Sequence, residues 1–251
     1  MSREIITACL PPTDPADVME ALAAAMAPFW NDAEIPPGGV WQGEWQWWHI
    51  YGGYRADGFA VRAGHEADPR LIRNPFELDG RPRPPQPAGR CDGGPRGLLD
   101  LDVDRAPVAD QAGADWDRWV AFSAGFEPAL TLSAMNERAC DGATAWAAYR
   151  EQPVVRAAVA LWASDERARR WTGMSDPVGH YAHTREQFVR RTVARAVTPG
   201  VLLTLDGEWI DGTGSSSDPE VLVGARYFDF ADRYLDELAE DALAIRVRFH
   251  T

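Results

Sequence analysis

The pair closest to metal-ligand spacing is His180 and His183, in "HYAH". On a helix they lie one turn apart, close enough to share an ion, and Glu186 falls where a third ligand would be needed. Neither an HExxH pattern nor a cysteine pair completes the set, and two solvated surface histidines explain the same residues. "LDLDVD" places Asp100, Asp102 and Asp104 at alternate positions. It begins like a calcium loop, but the sixth position is Arg105 where the loop needs glycine, and the twelfth is Gln111 where it needs glutamate. On a strand these three carboxylates would share a face and could hold magnesium. A solvated acidic edge ahead of a helix is the expected reading of them. An enzyme acting on a small molecule would draw an acid–base or metal site from His49, Asp92, Asp104, His180 and His183, which are scattered along the chain. GxSxG, P-loop and GxGxxG patterns are missing. "GTGSSSDPE" is rich in glycine and serine but does not open a helix directly, so it reads as a loop rather than an anion cradle.

The densest feature is "WQGEWQWWHIYGGY", from Trp41 to Tyr54, with four tryptophans, two tyrosines and a histidine. As a helix it is poor, because aromatic residues have weak helix propensity and Gly52-Gly53 would end it. As a strand it divides by parity: Trp45, Trp47, His49 and Tyr51 on one side, Gln46, Trp48 and Ile50 on the other. Aromatic residues on both faces imply a central, covered strand. One reading packs Trp45, Trp47 and Trp48 into the core. The other lines a pocket with one face. His49, Tyr51 and Tyr54 would then be polar handles, and the glycines would allow close approach of a flat aromatic or sugar-like ligand.

Composition narrows the partners. The chain has 251 residues and a formal net charge of −13, and all 25 of its basic residues are arginine. An acidic chain repels nucleic acid and anionic membranes unless its charge is segregated. Without lysine, Schiff-base chemistry and a Walker-type phosphate lysine are excluded. Cys9, Cys91 and Cys140 are far apart, as expected of reduced thiols in a cytoplasmic protein. "MSREIITACLPP" has no apolar run long enough for a signal peptide, and no stretch approaches the apolar length of a membrane span.

The elements that must position these residues follow from periodicity. "EIITACL" is a strand. A helix follows, with Asp14 as cap, Pro15 in its first turn, and Val18, Leu22, Met26 and Phe29 as its apolar stripe. After the aromatic strand, "DGFAVRA" is the returning strand, and residues 64–97, crowded with proline and glycine, form an extended loop or linker. Helices then dominate. One puts Trp116, Trp119, Val120 and Ser123 on one face; another carries Val155, Val159 and Trp162. A third runs from the Asp176 cap to Pro199-Gly200. "VLLTLDGEWID" is a hairpin with Asp206-Gly207 as a two-residue turn. A helix with Phe230, Tyr234, Leu235 and Leu238 as its stripe precedes "ALAIRVRFHT". There Leu243, Ile245, Val247 and Phe249 face in, and Arg246, Arg248 and His250 face out.

Strand–helix–strand at one end and hairpin–helix–strand at the other predict an α+β fold. The sheet is expected to be an antiparallel split βαβ of ferredoxin-like type, with helices on one face. The expected layout is residues 1–63 and 198–251 as the two halves of that domain, 64–97 as the loop and 98–197 as a helical insertion.

Several segments together resemble a group of uncharacterised proteins from actinobacteria and their phages, which carry a "WDWW-x-I-GGRW"-like motif. The matching residues are "LPP" after the first strand, "MAPF" ending the first helix, "WQWWHIYGGY", "CDGGPRGLLDLD", "LLTLDGEW" and the closing "YLDEL" and "DALAIRVRFH". This chain departs by an extra Tyr51 before Gly52 and by Tyr54-Arg55 where the group has Arg-Trp, so Arg55 only partly keeps that motif's arginine. The resemblance implies layout and a bacterial or phage origin, and no activity.

The expected function is a non-catalytic binding or protein-interaction module that uses an aromatic sheet face; the alternative is the small-molecule enzyme above. The ligand-binding candidates are Trp45, Trp47, His49, Tyr51, Tyr54, Arg55, Arg246 and Arg248. The partner is a protein or a small aromatic or anionic ligand. The basic row of Arg246 and Arg248 is expected to pair with carboxylates of the helical insertion. No cofactor and no metal are expected, because no ligand set is closed. Treatment with EDTA should therefore leave the near-UV dichroism intact, whereas its collapse would show a structural ion.

Overall fold

The computed structural model describes residues 3–32, 43–51, 58–77, 80–214 and 220–250. In chain order the elements begin with β1 (Arg3–Leu10), α1 (Val18–Met26), β2 (Trp47–Ile50), β3 (Phe59–Ala60), β4 (Arg90–Cys91) and β5 (Gly93–Pro95). The helices α2 (Asp102–Ser123), α3 (Leu132–Asn136), α4 (Gly142–Glu151), α5 (Pro153–Ser164), α6 (Arg169–Thr172), α7 (Pro177–His180) and α8 (Arg185–Val197) follow. Next come β6 (Val201–Leu203), β7 (Trp209–Asp211), α9 (Ala225–Glu237) and β8 (Leu243–His250). The chain divides into two compact units, 1–105 with 194–251, and 106–193.

The first unit is built on a sheet of order β2-β8-β1-β6-β7. β8 pairs antiparallel with all of β1, from Arg3↔His250 to Leu10↔Leu243. Its other edge is shared: β2 takes Val247 to His250, and β5 takes Leu243 to Ile245. The alternation of β8 works as expected on one side. Leu243, Ile245, Val247 and Phe249 join Ile6, Ala8, Leu10 and the α1 stripe of Val18, Leu22, Met26 and Phe29 in one core. α1 itself begins later than expected. Asp14 accepts from the Ala16 amide (2.9 Å) in a turn, and the helix opens at Val18.

The fold is mixed α and β with a mostly antiparallel open sheet, and it departs from the ferredoxin-like expectation in two ways. β6 lies beside β1 in parallel. The sheet also has a core on each face. Opposite α1, Cys9, Leu202 and Ala244 pack with Tyr227, Ala231 and Leu235 of α9 and with Leu71, Cys91, Leu98 and Leu99. The three residues of β6 are all apolar and all buried, the mark of a strand covered on both sides. The β6–β7 connection is a hairpin, but its loop has three residues. Thr204 donates to the Glu208 carbonyl (3.0 Å), and Gly207 adopts φ +80°, the left-handed position such loops need.

Two further expectations are corrected. β3 does not return beside β2; it pairs with β4. Residues 64–97, expected as a loop or linker, supply β5, which joins the main sheet at β8, and β4, which forms a separate two-stranded sheet with β3. Gly93 explains the "CDGGP" glycines: a Cβ there would lie 2.5 Å from the Ala244 carbonyl oxygen, so only glycine lets β5 lie against β8.

In the second unit, Trp119, Tyr149, Val154, Val155, Ala158, Tyr181 and Phe188 form the core. The predicted faces shift: Val120, Val159 and Trp162 are exposed, while Val154 and Ala158 join Val155 inside. The helix expected from Asp176 onward breaks after His180. Asp176 caps α7 through the Gly179 amide (2.8 Å), and the chain restarts at α8. Thr184 and Gln187 cap one another there, each amide donating to the other's side chain at 3.2 Å, which is a capping box.

The irregular segment is fastened by Asp92, whose side chain is wholly buried. Its carboxylate accepts from the Asn74 amide (2.6 Å) and Gln86 Nε2 (2.9 Å) and lies 3.9 Å from the buried Arg83 guanidinium. Its amide donates to the Ile72 carbonyl, and its carbonyl accepts from the Arg246 amide (2.7 Å). Removing Asp92 leaves the buried Arg83 with the partly exposed Glu77 carboxylate, 3.8 Å away, and takes the acceptor from the Asn74 amide and Gln86. Asp92→Ala should therefore lower the free energy of urea unfolding by about 3–5 kcal/mol, and a loss below about 1 kcal/mol would show that this pair does not hold the segment.

Candidate functional site

β2 is the exposed end of the sheet, and a bend at Gln46 sets the direction of its side chains. The Gln46 amide donates to the His250 carbonyl (2.8 Å), and Trp47 also stands opposite His250. Two residues thus face one, and parity changes at this step. Trp45 therefore leaves the face predicted for it. Its indole Nε1 donates to the Met26 carbonyl (2.9 Å), and its ring meets Trp48 edge-on beside the α1 core. Trp45, Trp47 and Trp48 are half-buried rather than central to the core.

The opposite face carries Trp47, His49 and Tyr51, as parity requires. Trp47 stacks on His250 (5.3 Å) and on His49 (5.7 Å), and His49 meets Tyr51 edge-on (5.5 Å). The Arg248 and Arg83 guanidiniums lie 3.7 and 4.4 Å from the Tyr51 ring centre. Tyr51 is buried, so this is a packed aromatic–cation layer and not an open pocket wall. Arg246 is buried too. It donates to Thr7 Oγ1 and the Val197 carbonyl and lies over the Phe59 ring (4.1 Å). Arg246 of the row predicted to face out therefore lies inside and Arg248 is half-buried; the contacts described for them are a hydroxyl, a carbonyl and rings. Tyr54 and Arg55 lie outside the described residues.

The acid–base candidates are not brought together. Asp92 is enclosed as described above. Asp104 forms a two-pronged pair with Arg90 (2.5 and 2.8 Å), and Asp100 caps α2 through the Asp102 and Val103 amides. Asp102 and Asp104 thus sit in the first turn of a helix, not on a strand. His180 packs edge-on against Tyr181 and Phe188, and His183 Nε2 contacts Arg191 Nη1. Burial, then Arg191, holds the His183 pKa below the usual histidine value, which keeps the ring neutral and able to accept. Among the described residues no group of three or more His, Cys, Asp or Glu is placed to hold a metal ion. Burial pushes the Cys9 and Cys91 thiols up to about 12, away from nucleophilic use. No described helix is long and apolar enough to cross a membrane.

An open site does occur one step away, along the outer edge of β2. A groove of about 570 Å³ is lined by Trp48, His49 and Ile50, by Val18 and Met19 of α1, and by the chain from Pro69 to Pro75. The Tyr51 amide donates to Arg246 of β8 (3.0 Å), so by alternation the Trp48 amide and carbonyl and the Ile50 amide point outward. The Ile50 carbonyl, also outward, accepts from Asn74 Nδ2 (3.0 Å) and Arg83 Nη2 (3.3 Å). The Trp48 groups and the Ile50 amide have no partner among the described residues. Sequence reading found this stretch by its tryptophans but placed the opening on its face rather than its edge.

Comparison with models of protein families, with curated proteins and with solved structures finds no match.

His250 is 6% exposed, and neither of its ring nitrogens has a hydrogen-bond partner among the described residues. A buried polar group left unmet costs about 1–3 kcal/mol. His250→Phe keeps a ring against Trp47 and removes both nitrogens. The melting temperature should stay the same or rise by a few degrees, at about 2–4 °C per kcal/mol for a chain of this size. A clear fall would show that the imidazole is engaged.

Proposed function

We propose that this protein is a non-catalytic binding module, of bacterial or phage origin as its resemblance suggests, that receives an extended segment of a partner protein along β2. The observation that carries this reading is the coincidence of an open strand edge with a groove. The Trp48 amide and carbonyl and the Ile50 amide point outward with no partner among the described residues, beside walls of Val18, Met19, Leu71 and Ile72. An added strand supplies main-chain hydrogen bonds for affinity, and alternate side chains of the segment enter the groove for specificity. The row it would occupy has already begun, because Ile72 bridges to Gly93 of β5, which shares the β8 edge with β2. The contact thus moves from the aromatic face to the edge. Tyr51, Arg246 and His250 are buried on that face, while Met19 is 56% exposed beside the groove.

A display library of 12-residue peptides selected on the full chain tests this. Selected peptides should slow amide exchange at Trp48 and Ile50, and Met19→Arg should weaken them at least tenfold without changing the melting temperature. Protection elsewhere, or binding indifferent to Met19→Arg, would sink the reading.

A further inference from the structure

The unit formed by residues 106–193 holds a second surface, independent of the β2 groove. α4 and α5 each bury one side: Ala145 and Tyr149 of α4, and Val154, Val155 and Ala158 of α5. Their other sides stay apolar in the open. α5, "PVVRAAVALWAS", carries one charge in 12 residues, yet Val159 and Trp162 are 47% and 46% exposed. A helix apolar all round belongs in an interior. Trp146 of α4 is 36% exposed as well. Between the helices runs an open groove of about 1640 Å³, with Trp146, Ala147, Val159 and Ala160 among its lining residues.

The two tryptophans are held in place. Trp146 stacks on the buried Tyr149 (5.9 Å, 18°), and the Arg169 guanidinium lies 5.9 Å from the Trp162 ring centre. Ordered aromatic side chains bind with less entropy to lose, and tryptophan is a favoured anchor of interfaces. The charged residues that line the groove are Arg150, Arg156 and Glu151. Arg156 and Glu151 are both exposed and lie 3.8 Å apart, a loose pair, and Arg150 has no ion-pair partner among the described residues. In a chain of net charge −13, this apolar strip thus has two arginines to one glutamate on its rim.

We infer that the α4–α5 groove docks an acidic amphipathic helix of another protein. The long trough between two helices suits a helix laid along it, apolar face down, with anchors three and four residues apart. Carboxylates flanking that face would meet Arg150 and Arg156. A second copy fits less well, since it brings together two strongly acidic chains.

The probe is a synthetic 18-residue helical peptide with leucine at three- and four-residue spacing and glutamate flanking the leucine face, followed by fluorescence anisotropy of its label with the full chain. Binding is expected, despite the overall negative charge of the protein. The Arg150→Glu/Arg156→Glu variant should weaken it at least tenfold, and so should Val159→Arg. All three positions are exposed, so the melting curves should not move. Failure of the peptide to bind, or binding unchanged in both variants, overturns the inference. So does a dimer of the chain alone in sedimentation that Val159→Arg dissolves, since the groove would then belong to a second copy.

Discussion

The ion pair of Arg83 and Asp92 is the constraint on which the first unit depends. Between β3 and α2 the chain has little regular structure, so ladders cannot satisfy its main-chain groups. Buried carbonyls and amides must still be bonded. Asp92 meets this need at one point, gathering the Asn74 amide, Gln86 and Arg83 on its carboxylate while its own main chain joins Ile72 to β8. Arg83 carries the tie to β2, reaching the Ile50 carbonyl and covering Tyr51. The irregular segment, β5 and the end of β2 are therefore set together. The β2 groove inherits its shape from this pair, because the wall from Pro69 to Pro75 is positioned through Asn74 and Ile72.

Arginine does in this protein what secondary structure does elsewhere. Arg73 donates to the carbonyls of Glu66, Ala88 and Arg90, Arg96 to those of Leu235 and Leu99, and Arg246 to that of Val197. A planar fork with five donors can bind several carbonyls from one fixed position, which a lysine ammonium does less well. The all-arginine composition thus has a structural use, whatever its origin. The same habit explains why Arg246 of β8 can lie inside. It meets a hydroxyl, a carbonyl and the Phe59 ring, and the half-buried Arg248 covers Tyr51.

What could be read from sequence was local. The stripe of α1 and the alternation of β8 repeat within a few residues, and both faces emerge as the pattern requires. The cap at Asp176 was legible, and the "TREQ" capping box that restarts the chain at α8 was equally so, though a continuous apolar period masked it. Pairing was not legible. Nothing in "FAVR" or "RCDGGP" announces that β3 joins β4 or that β5 shares an edge of β8, since those choices are settled between residues 30 to 152 positions apart. The placement of Trp45 failed for a smaller reason, a one-residue step at Gln46 that inverts parity and has no composition signal. The aromatic stretch borders the groove, which opens along its edge and not on the face read from the sequence.

An open strand edge is a hazard that proteins usually suppress, with short strands, inward charges or a covering loop. The other outer strand, β7, has three residues. β2 is also short, and the side chains of Asn74 and Arg83 cap its Ile50 carbonyl. That capping stops at Ile50. One residue pair further out, the main-chain groups of Trp48 have no partner among the described residues and lie beside apolar walls. The half-buried Trp48 ring and the chain at Pro69 and Pro75 border the groove beside it. Pro69 and Pro75 have no amide to add to this row, and the Ile72 and Asn74 amides between them are given to the Gly93 carbonyl and the Asp92 carboxylate. On the proposed reading, one added strand rather than a second sheet completes this edge.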